Sequence, residues 1–227
     1  MADTCAHCGA KLTQAGIFSA ANKLLADGDV RLINFVRGEE SSEFCNSCGD
    51  PLRQAVLDQL VAERDKLKKE IEERVSFFPV LTVDVLPRNN DYLALGLVTA
   101  NVTVGTGMFN EWSQGFSDLF GAVNQNSGMA FKVNKGEAIA RGILVHKALA
   151  LGGNCIIGVD LDYGITTNNA ATINMQGTAI SVPDLKAILG GRAYEMATWI
   201  SWAWQRGRQM NRWMQGKIQP GDQYATE

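Results

Sequence analysis

The sequence predicts an α+β protein made of four consecutive parts. Two C-x-x-C-G motifs, Cys5–Gly9 and Cys45–Gly49, predict a small module similar to a zinc ribbon. A charged stretch with apolar residues at helical spacing predicts a connector, and strand-like runs around one long apolar helix predict a compact domain. The expected parts are 1–50 for the module, 51–76 for the connector, 77–182 for the domain and 183–227 for a C-terminal amphipathic helix and tail.

The two cysteine motifs have the spacing of metal ligands. Two intervening residues let the chain turn so that both sulfurs face one ion, and the following glycine closes the turn without a Cβ clash. Four thiolates around one ion leave no open position for a substrate, so we expect one structural zinc ion per chain rather than a catalytic one. The predicted ligands are Cys5, Cys8, Cys45 and Cys48.

Other interpretations of these cysteines remain open. Iron also accepts four thiolates, and two C-x-x-C pairs could be redox-active thiols. His7 could replace a neighbouring cysteine, although four thiolates already suffice. Cys155 stands alone in an apolar run and is expected to be a buried, unreactive thiol.

Between the motifs, the sequence predicts a short helix over Phe18–Leu25 and a strand over Val30–Val36. After the second motif, Pro51 stands where a helix can begin. Apolar residues then recur in steps of four and seven to Ile71, within sequence rich in Glu, Lys and Arg. This pattern predicts a stiff helical connector that ends near Arg74.

The central domain is predicted to open with strands over Val80–Leu86 and Tyr92–Val104. An aromatic-rich helix over Phe109–Ala122 and a longer helix over Lys135–Leu151 follow. The longer helix has apolar residues on adjacent faces, which in so small a domain indicates contact with another subunit.

Two further strands, Cys155–Tyr163 and Ala171–Val182, flank an Asn-Asn turn. Their alternation places Asp160 and Asp162 on one face of the first strand. Folding about the turn brings Asp160 near Gln176 and Asp162 near Asn174. The two carboxylates are a candidate site for a hard cation, or alternatively a solvated sheet edge.

Residues from about Phe77 to Val182 resemble the YbjQ family, whose members are often described as heavy-metal-binding proteins. The likeness is carried by the runs Pro79–Thr82, Leu95–Thr99, Ala148–Gly152, Ile157–Tyr163 and Gly177–Ile180, in this order. The resemblance implies a compact α/β domain that assembles as a ring, a pentamer, without a known activity. Gly164 stands where the family often has an acidic residue after its Asp-Tyr pair, which weakens the case for a carboxylate cluster.

The C-terminal segment predicts a short helix over Asp184–Leu189 and a longer one from Arg192 to about Gln215. The longer helix carries four of the five tryptophans and a basic face. Such a helix docks on a membrane surface or a partner's groove, or packs its tryptophans on its own protein. The residues of the candidate docking surface are Trp199, Trp202, Arg206, Arg208, Arg212 and Trp213.

Composition narrows the functional classes. The net charge of −3 argues against nucleic-acid binding, and the start of the chain lacks a secretory pattern, so we expect a cytoplasmic protein. Two histidines and no catalytic motif argue against an enzyme. We therefore expect a non-enzymatic oligomeric scaffold or binding protein, with a metal-handling protein as the first alternative and a nucleic-acid-binding zinc protein as the second.

Overall fold

A computed structural model of the chain describes residues 4–15, 20–86, 91–104, 129–165 and 170–224. The predicted helix over Phe109–Ala122 lies outside these residues. The chain forms two compact units. We call Met1–Leu67 with Gln205–Glu227 the cysteine unit, and Lys68–Trp204 the sheet unit. The four-part division made from the sequence stays a prediction.

Helix α1 (Asp27–Arg37) replaces the strand predicted over Val30–Val36, which was wrong. Val30, Ile33 and Val36 recur at three-residue spacing and are buried on one face, although their branched side chains favoured a strand. Acidic residues in the first turn complement the helix dipole, and Gly38 ends the helix at φ 66°.

The chain before α1 is extended where the sequence predicted a helix. Among residues 20–25, Asn22 bridges Thr13 and Leu24 bridges Cys45, both antiparallel. The described part of the predicted Phe18–Leu25 helix is therefore wrong, because these backbone groups pair with Thr13 and with residues 44–46 instead of with one another.

Helix α2 (Asn46–Arg74) confirms the predicted connector helix and its end. It begins five residues before Pro51, because the second cysteine motif itself forms the first helical turn. Pro51 is therefore the sixth residue of the helix, in its second turn, and it donates no intrahelical hydrogen bond there. Val56 and Leu60 are buried in the cysteine unit, while Asp58 and Gln59 between them are exposed.

Two small apolar clusters stabilise the cysteine unit. One joins Val30, Ile33 and Phe44 beside the cysteine motifs. The other joins α1 and α2 with the end of α4 (Gly191–Met214), the helix predicted from Arg192 to Gln215. Its buried members are Leu32, Val36, Val56, Leu60, Met210 and Trp213.

The sheet unit contains a three-stranded antiparallel sheet in the order β1-β3-β2. Its strands are β1 (Leu93–Val104), β2 (Cys155–Ile165) and β3 (Ala171–Ser181), which confirms three of the four predicted strands. The fourth, over Val80–Leu86, is wrong as a regular strand: one parallel bridge joins Val80 to Ile156. The predicted helix over Asp184–Leu189 shortens to a 3-10 turn, Leu185–Ala187, in which the Asp184 carboxylate accepts from the Ala187 amide.

Two glycines in the central strands explain a β-bulge. The β2–β3 register shifts between Ile157 and Asp160, and Gly158 there adopts φ 60°. Gly177 lies opposite in β3, where a Cβ would come 2.7 Å from Ile156 Cγ2 and 3.2 Å from the Ile157 carbonyl oxygen. Gly158 is favoured for its positive φ, whereas Gly177 is favoured because a side chain there has no space.

Helix α3 (Met129–Ala150) confirms the helix predicted over Lys135–Leu151 but begins six residues earlier, and it packs on β1 and β3. Its second apolar face is covered within the same unit. Trp204 of α4 contacts His146 edge-on at 4.6 Å between ring centroids, and Arg141 donates to the Ser76 and Phe78 carbonyls. Since Ile200 and Phe78 join the same buried cluster, the two apolar faces of α3 do not require a second subunit.

Within the described residues, no helix combines the length and the apolar character needed to cross a membrane.

Candidate metal centre

The two cysteine motifs form similar turns. In each, the glycine amide donates to the carbonyl of the first cysteine: Gly9 to Cys5 at 2.8 Å and Gly49 to Cys45 at 2.7 Å. Gly9 is needed for its φ of 72°. Gly49 is needed for space, because a Cβ there would come 2.8 Å from Phe44 Cβ and would overlap the Leu25 side chain. The glycine that ends each motif is therefore needed for its backbone conformation in the first turn and for its small size in the second.

The four predicted ligands come together at one point. The Sγ atoms of Cys5, Cys8, Cys45 and Cys48 all lie within 4.8 Å of one another. Individual separations are 3.6 Å for Cys8–Cys45, 3.7 Å for Cys45–Cys48 and 3.9 Å for Cys5–Cys48. Four sulfurs placed tetrahedrally about 2.3 Å from a zinc ion are about 3.8 Å apart. These residues therefore fit a tetrahedral thiolate-bound metal.

The thiols influence one another's protonation. Burial raises the pKa of Cys45, but hydrogen bonds involving the Cys48 backbone and the Cys8 and Asn22 side chains outweigh it and lower the pKa to about 6. Burial raises the pKa of Cys48 to about 12, and contacts with the other thiols add to the increase. Four adjacent thiolates repel one another, so full deprotonation requires a bound cation.

The surrounding residues hold the motifs together without entering the centre. The Glu43 carboxylate accepts from the Ala6 amide at 2.6 Å, and the Asn22 side-chain oxygen accepts from Ser47. The His7 ring lies on Phe44 with 4.5 Å between centroids. His7 is therefore placed as a packing residue, outside the four-sulfur cluster.

Cys155 lies in the sheet unit, fully buried. Burial raises the pKa of its thiol to about 11. A protonated, inaccessible sulfur is a poor nucleophile and a poor ligand, so the structure agrees with its expected inertness.

The polar face of the sheet forms as the alternation predicted. Asp160 pairs with Gln176 and Asp162 pairs with Asn174, which confirms the expected register. Strand β1 adds Thr99 opposite Gln176 and Asn101 opposite Asn174, and together these side chains line a shallow depression. The contribution of β1 was not predicted, although the alternation of Thr99, Asn101 and Thr103 along that strand carries the signal.

Some residues of the candidate docking surface on the C-terminal helix make internal contacts, and others are exposed. Trp213 is fully buried, and its indole N–H donates to Asp222 at 2.8 Å. Arg212 forms an ion pair with Asp222, and Arg206 lies over the Trp213 ring at 4.7 Å. The buried Trp213 cannot contribute to a docking surface in this arrangement, a correction to its expected exposure.

The remaining residues of that predicted surface are more accessible. Trp202 is 45% exposed and Arg208 is exposed, whereas Trp199 is half-buried beneath the Arg74 guanidinium at 4.4 Å. A docking role for these residues stays a prediction.

Comparison with known proteins identifies the central domain. A family model described as "Putative heavy-metal-binding", of the YbjQ type, matches residues 79–183. The four cysteines lie outside that match.

Several bacterial relatives carry the description UPF0145 protein. The one from Geobacillus thermodenitrificans is 31% identical over 88 residues, covering 39% of this chain and 83% of the relative. The one from Trichodesmium erythraeum is 31% identical over 85 residues, covering 37% and 77%.

A crystal structure of a Pediococcus pentosaceus protein of unknown function, from the DUF74 family, covers 45% of this chain and 95% of that protein. It shares 16% sequence identity with a TM-score of 0.33. The relative from Geobacillus thermodenitrificans is more than 30% identical and is covered over more than two thirds of its length, so this chain belongs to the UPF0145 family, with a YbjQ-type domain at residues 79–183.

Proposed function

We propose that the protein is a non-enzymatic zinc protein whose N-terminal thiolate centre is structural. The observation that carries this proposal is the meeting of four cysteine sulfurs at separations that suit a tetrahedral ion. Four protein ligands complete the coordination of zinc, so none remains for a substrate or a reactive water. A reduced thiol centre also suits a cytoplasmic location.

Metal analysis of protein purified without added metal tests the centre. We expect one zinc per chain, and loss of that zinc in Cys45→Ser, because Cys45 is the fully buried ligand. Cys155→Ser is the matched control and should retain the metal. Iron in place of zinc would show a visible thiolate charge-transfer colour and would overturn the assignment of the ion. Protein without any bound metal would overturn the centre itself.

We further propose that the YbjQ-type domain assembles into a homo-oligomer, a ring of five, and that this scaffold presents the thiolate centre to a protein partner. The family resemblance supports this assembly. The two apolar faces of α3 no longer support it, since both are covered within the sheet unit. Light scattering at micromolar concentration should give a multiple of 24.7 kDa, and a monomer would overturn the scaffold role.

A second candidate is a metal-handling protein that binds a hard cation on the polar sheet face. The observation in its favour is the convergence of Asp160 and Asp162 of β2 with amide and hydroxyl groups from the other two strands. Hard divalent ions prefer such oxygen ligands, although two carboxylates make a weak site. Gln176 already donates to Asp160 at 3.5 Å.

Calorimetric titration with Mg²⁺, Ca²⁺ and Mn²⁺ distinguishes the two candidates. Metal handling predicts binding that disappears in the double variant Asp160→Asn, Asp162→Asn while zinc content stays at one. Absence of binding to the unchanged protein would remove this candidate.

Nucleic-acid binding ranks last among the alternatives because the net charge of the chain is −3. Binding of the protein to single-stranded RNA at low salt would contradict that ranking.

A further inference from the structure

The four thiolate ligands differ in their access to solvent. Cys5 and Cys45 are buried, with 1% and 0% of their surfaces exposed, and Cys48 is half-buried. Cys8 alone of the four is exposed. A small oxidant that approaches from solvent therefore meets the Cys8 sulfur first.

One near neighbour of the Cys8 sulfur belongs to the other motif. Cys8 Sγ lies 3.6 Å from Cys45 Sγ, closer than the 3.9 Å between Cys5 Sγ and Cys48 Sγ. A disulfide requires about 2.05 Å between sulfurs, so the two atoms need to approach by about 1.5 Å. Loss of the ion that separates them would permit this movement.

We propose that peroxide converts the metal-linked centre into a disulfide-linked one, through a Cys8–Cys45 bond that forms as the metal leaves. This inference rests on the proposed function, because it requires a metal-loaded centre. The two motifs then stay joined under oxidising conditions, and the cysteine unit keeps its arrangement.

The chemistry balances with hydrogen peroxide as the oxidant. The Cys8 thiolate attacks one peroxide oxygen, the O–O bond breaks, and the product is a sulfenic acid together with hydroxide, which takes a proton to become water. The Cys45 thiolate then attacks the Cys8 sulfur and expels a second hydroxide, which is also protonated. Two thiolates lose two electrons and one peroxide gains them. The metal keeps only Cys5 and Cys48 and dissociates.

The choice of sulfur partner decides what happens to α1. A Cys8–Cys45 bond closes the chain segment that contains α1, as the metal does. Phe35 of α1 contacts the rings of Trp213 at 4.9 Å and Tyr224 at 6.2 Å, so the C-terminal tail depends on the position of α1. Disulfides within each motif would instead leave the two motifs unlinked, so the chain segment that contains α1 would no longer be closed.

The test begins with zinc-loaded wild-type protein whose metal content has been measured. Hydrogen peroxide is added in small steps, zinc release is followed with a chromogenic chelator, and free thiols are then blocked. Trypsin places Cys5 and Cys8 on the peptide 1–11 and Cys45 and Cys48 on the peptide 38–53. A bond between motifs links these two peptides, whereas bonds within motifs do not. Fragmentation of the linked species locates the bond.

We expect release of one zinc per chain, a linked species with its bond at Cys8–Cys45, and Cys155 still reduced in the same digest. Hydrogen exchange in α1 should stay slow after oxidation. Unlinked peptides, bonds within the motifs, or peroxide treatment that leaves zinc bound would each overturn the proposal. Cys8→Ser removes the sulfur that is oxidised first, so it should give no linked peptides in peroxide, and Cys155→Ser should behave as wild type. Protein found without metal before peroxide is added would contradict the proposed function instead.

Discussion

Removal of the metal should loosen α1 far more than any strand of the sheet unit. The thiolate centre closes a segment of about 38 residues between Cys8 and Cys45, and α1 lies inside it. Opening a loop of that length lowers the free energy of the unfolded segment by roughly 4 kcal/mol, because the chain regains conformational entropy. Since 1.4 kcal/mol is a factor of ten, amides of α1 should exchange about a thousand times faster.

The small cluster beside the centre cannot replace that constraint, because it contains only three buried side chains, Val30, Ile33 and Phe44. Hydrogen exchange with mass spectrometry, before and after treatment with a strong zinc chelator under reducing conditions, measures the effect. Peptides from α1 report on the centre, and peptides from β3 serve as the internal reference. Cys45→Ser should reproduce the result without chelator. Acceleration of less than about tenfold in α1 would refute the loop-closure argument, because more than half of the expected free energy would be missing.

Other perturbations test contacts in both units. Asp222→Asn should cost about 1–3 kcal/mol in the free energy of unfolding, because it weakens the ion pair with Arg212 and the bond from the buried Trp213 indole. The hydrogen bond from the Gln219 amide, aided by Trp213 and Arg212, lowers the Asp222 pKa, so this stabilisation is present above pH about 4 and is lost as pH falls through the folded-state pKa. Urea titrations of the variant and the wild type at pH 7 and pH 3 check both statements. An equal difference in the free energy of unfolding at the two pH values would contradict them. Gly177→Ala should cost about 1–3 kcal/mol through overpacking in the central strand, measured by the same titration, and an unchanged midpoint would contradict the reported contacts. Cys155 should resist alkylation at pH 8 in the native protein and react only in denaturant, since its buried thiol has a pKa of about 11.

The sequence by itself determined the thiolate centre and most of the regular elements. Two matching C-x-x-C-G motifs predicted that four sulfurs meet at one point, because the two cysteines of each motif turn toward the same ion. Alternation and the position of the Asn-Asn turn likewise predicted Asp160 opposite Gln176, because the side-chain period decides the face and the turn decides the register.

Tertiary structure decided the rest. Val30–Val36 has the branched residues of a strand, yet it is helical because that arrangement buries Ile33 and Val36 on one side. The tryptophans of α4 suggested a docking surface, but burial of Trp213 depends on a tail and an acidic partner, Asp222, that lie beyond the helix. In the same way, the second apolar face of α3 is covered by residues distant in sequence. Periodicity reports that a face is apolar, whereas only the folded chain shows which segment covers it.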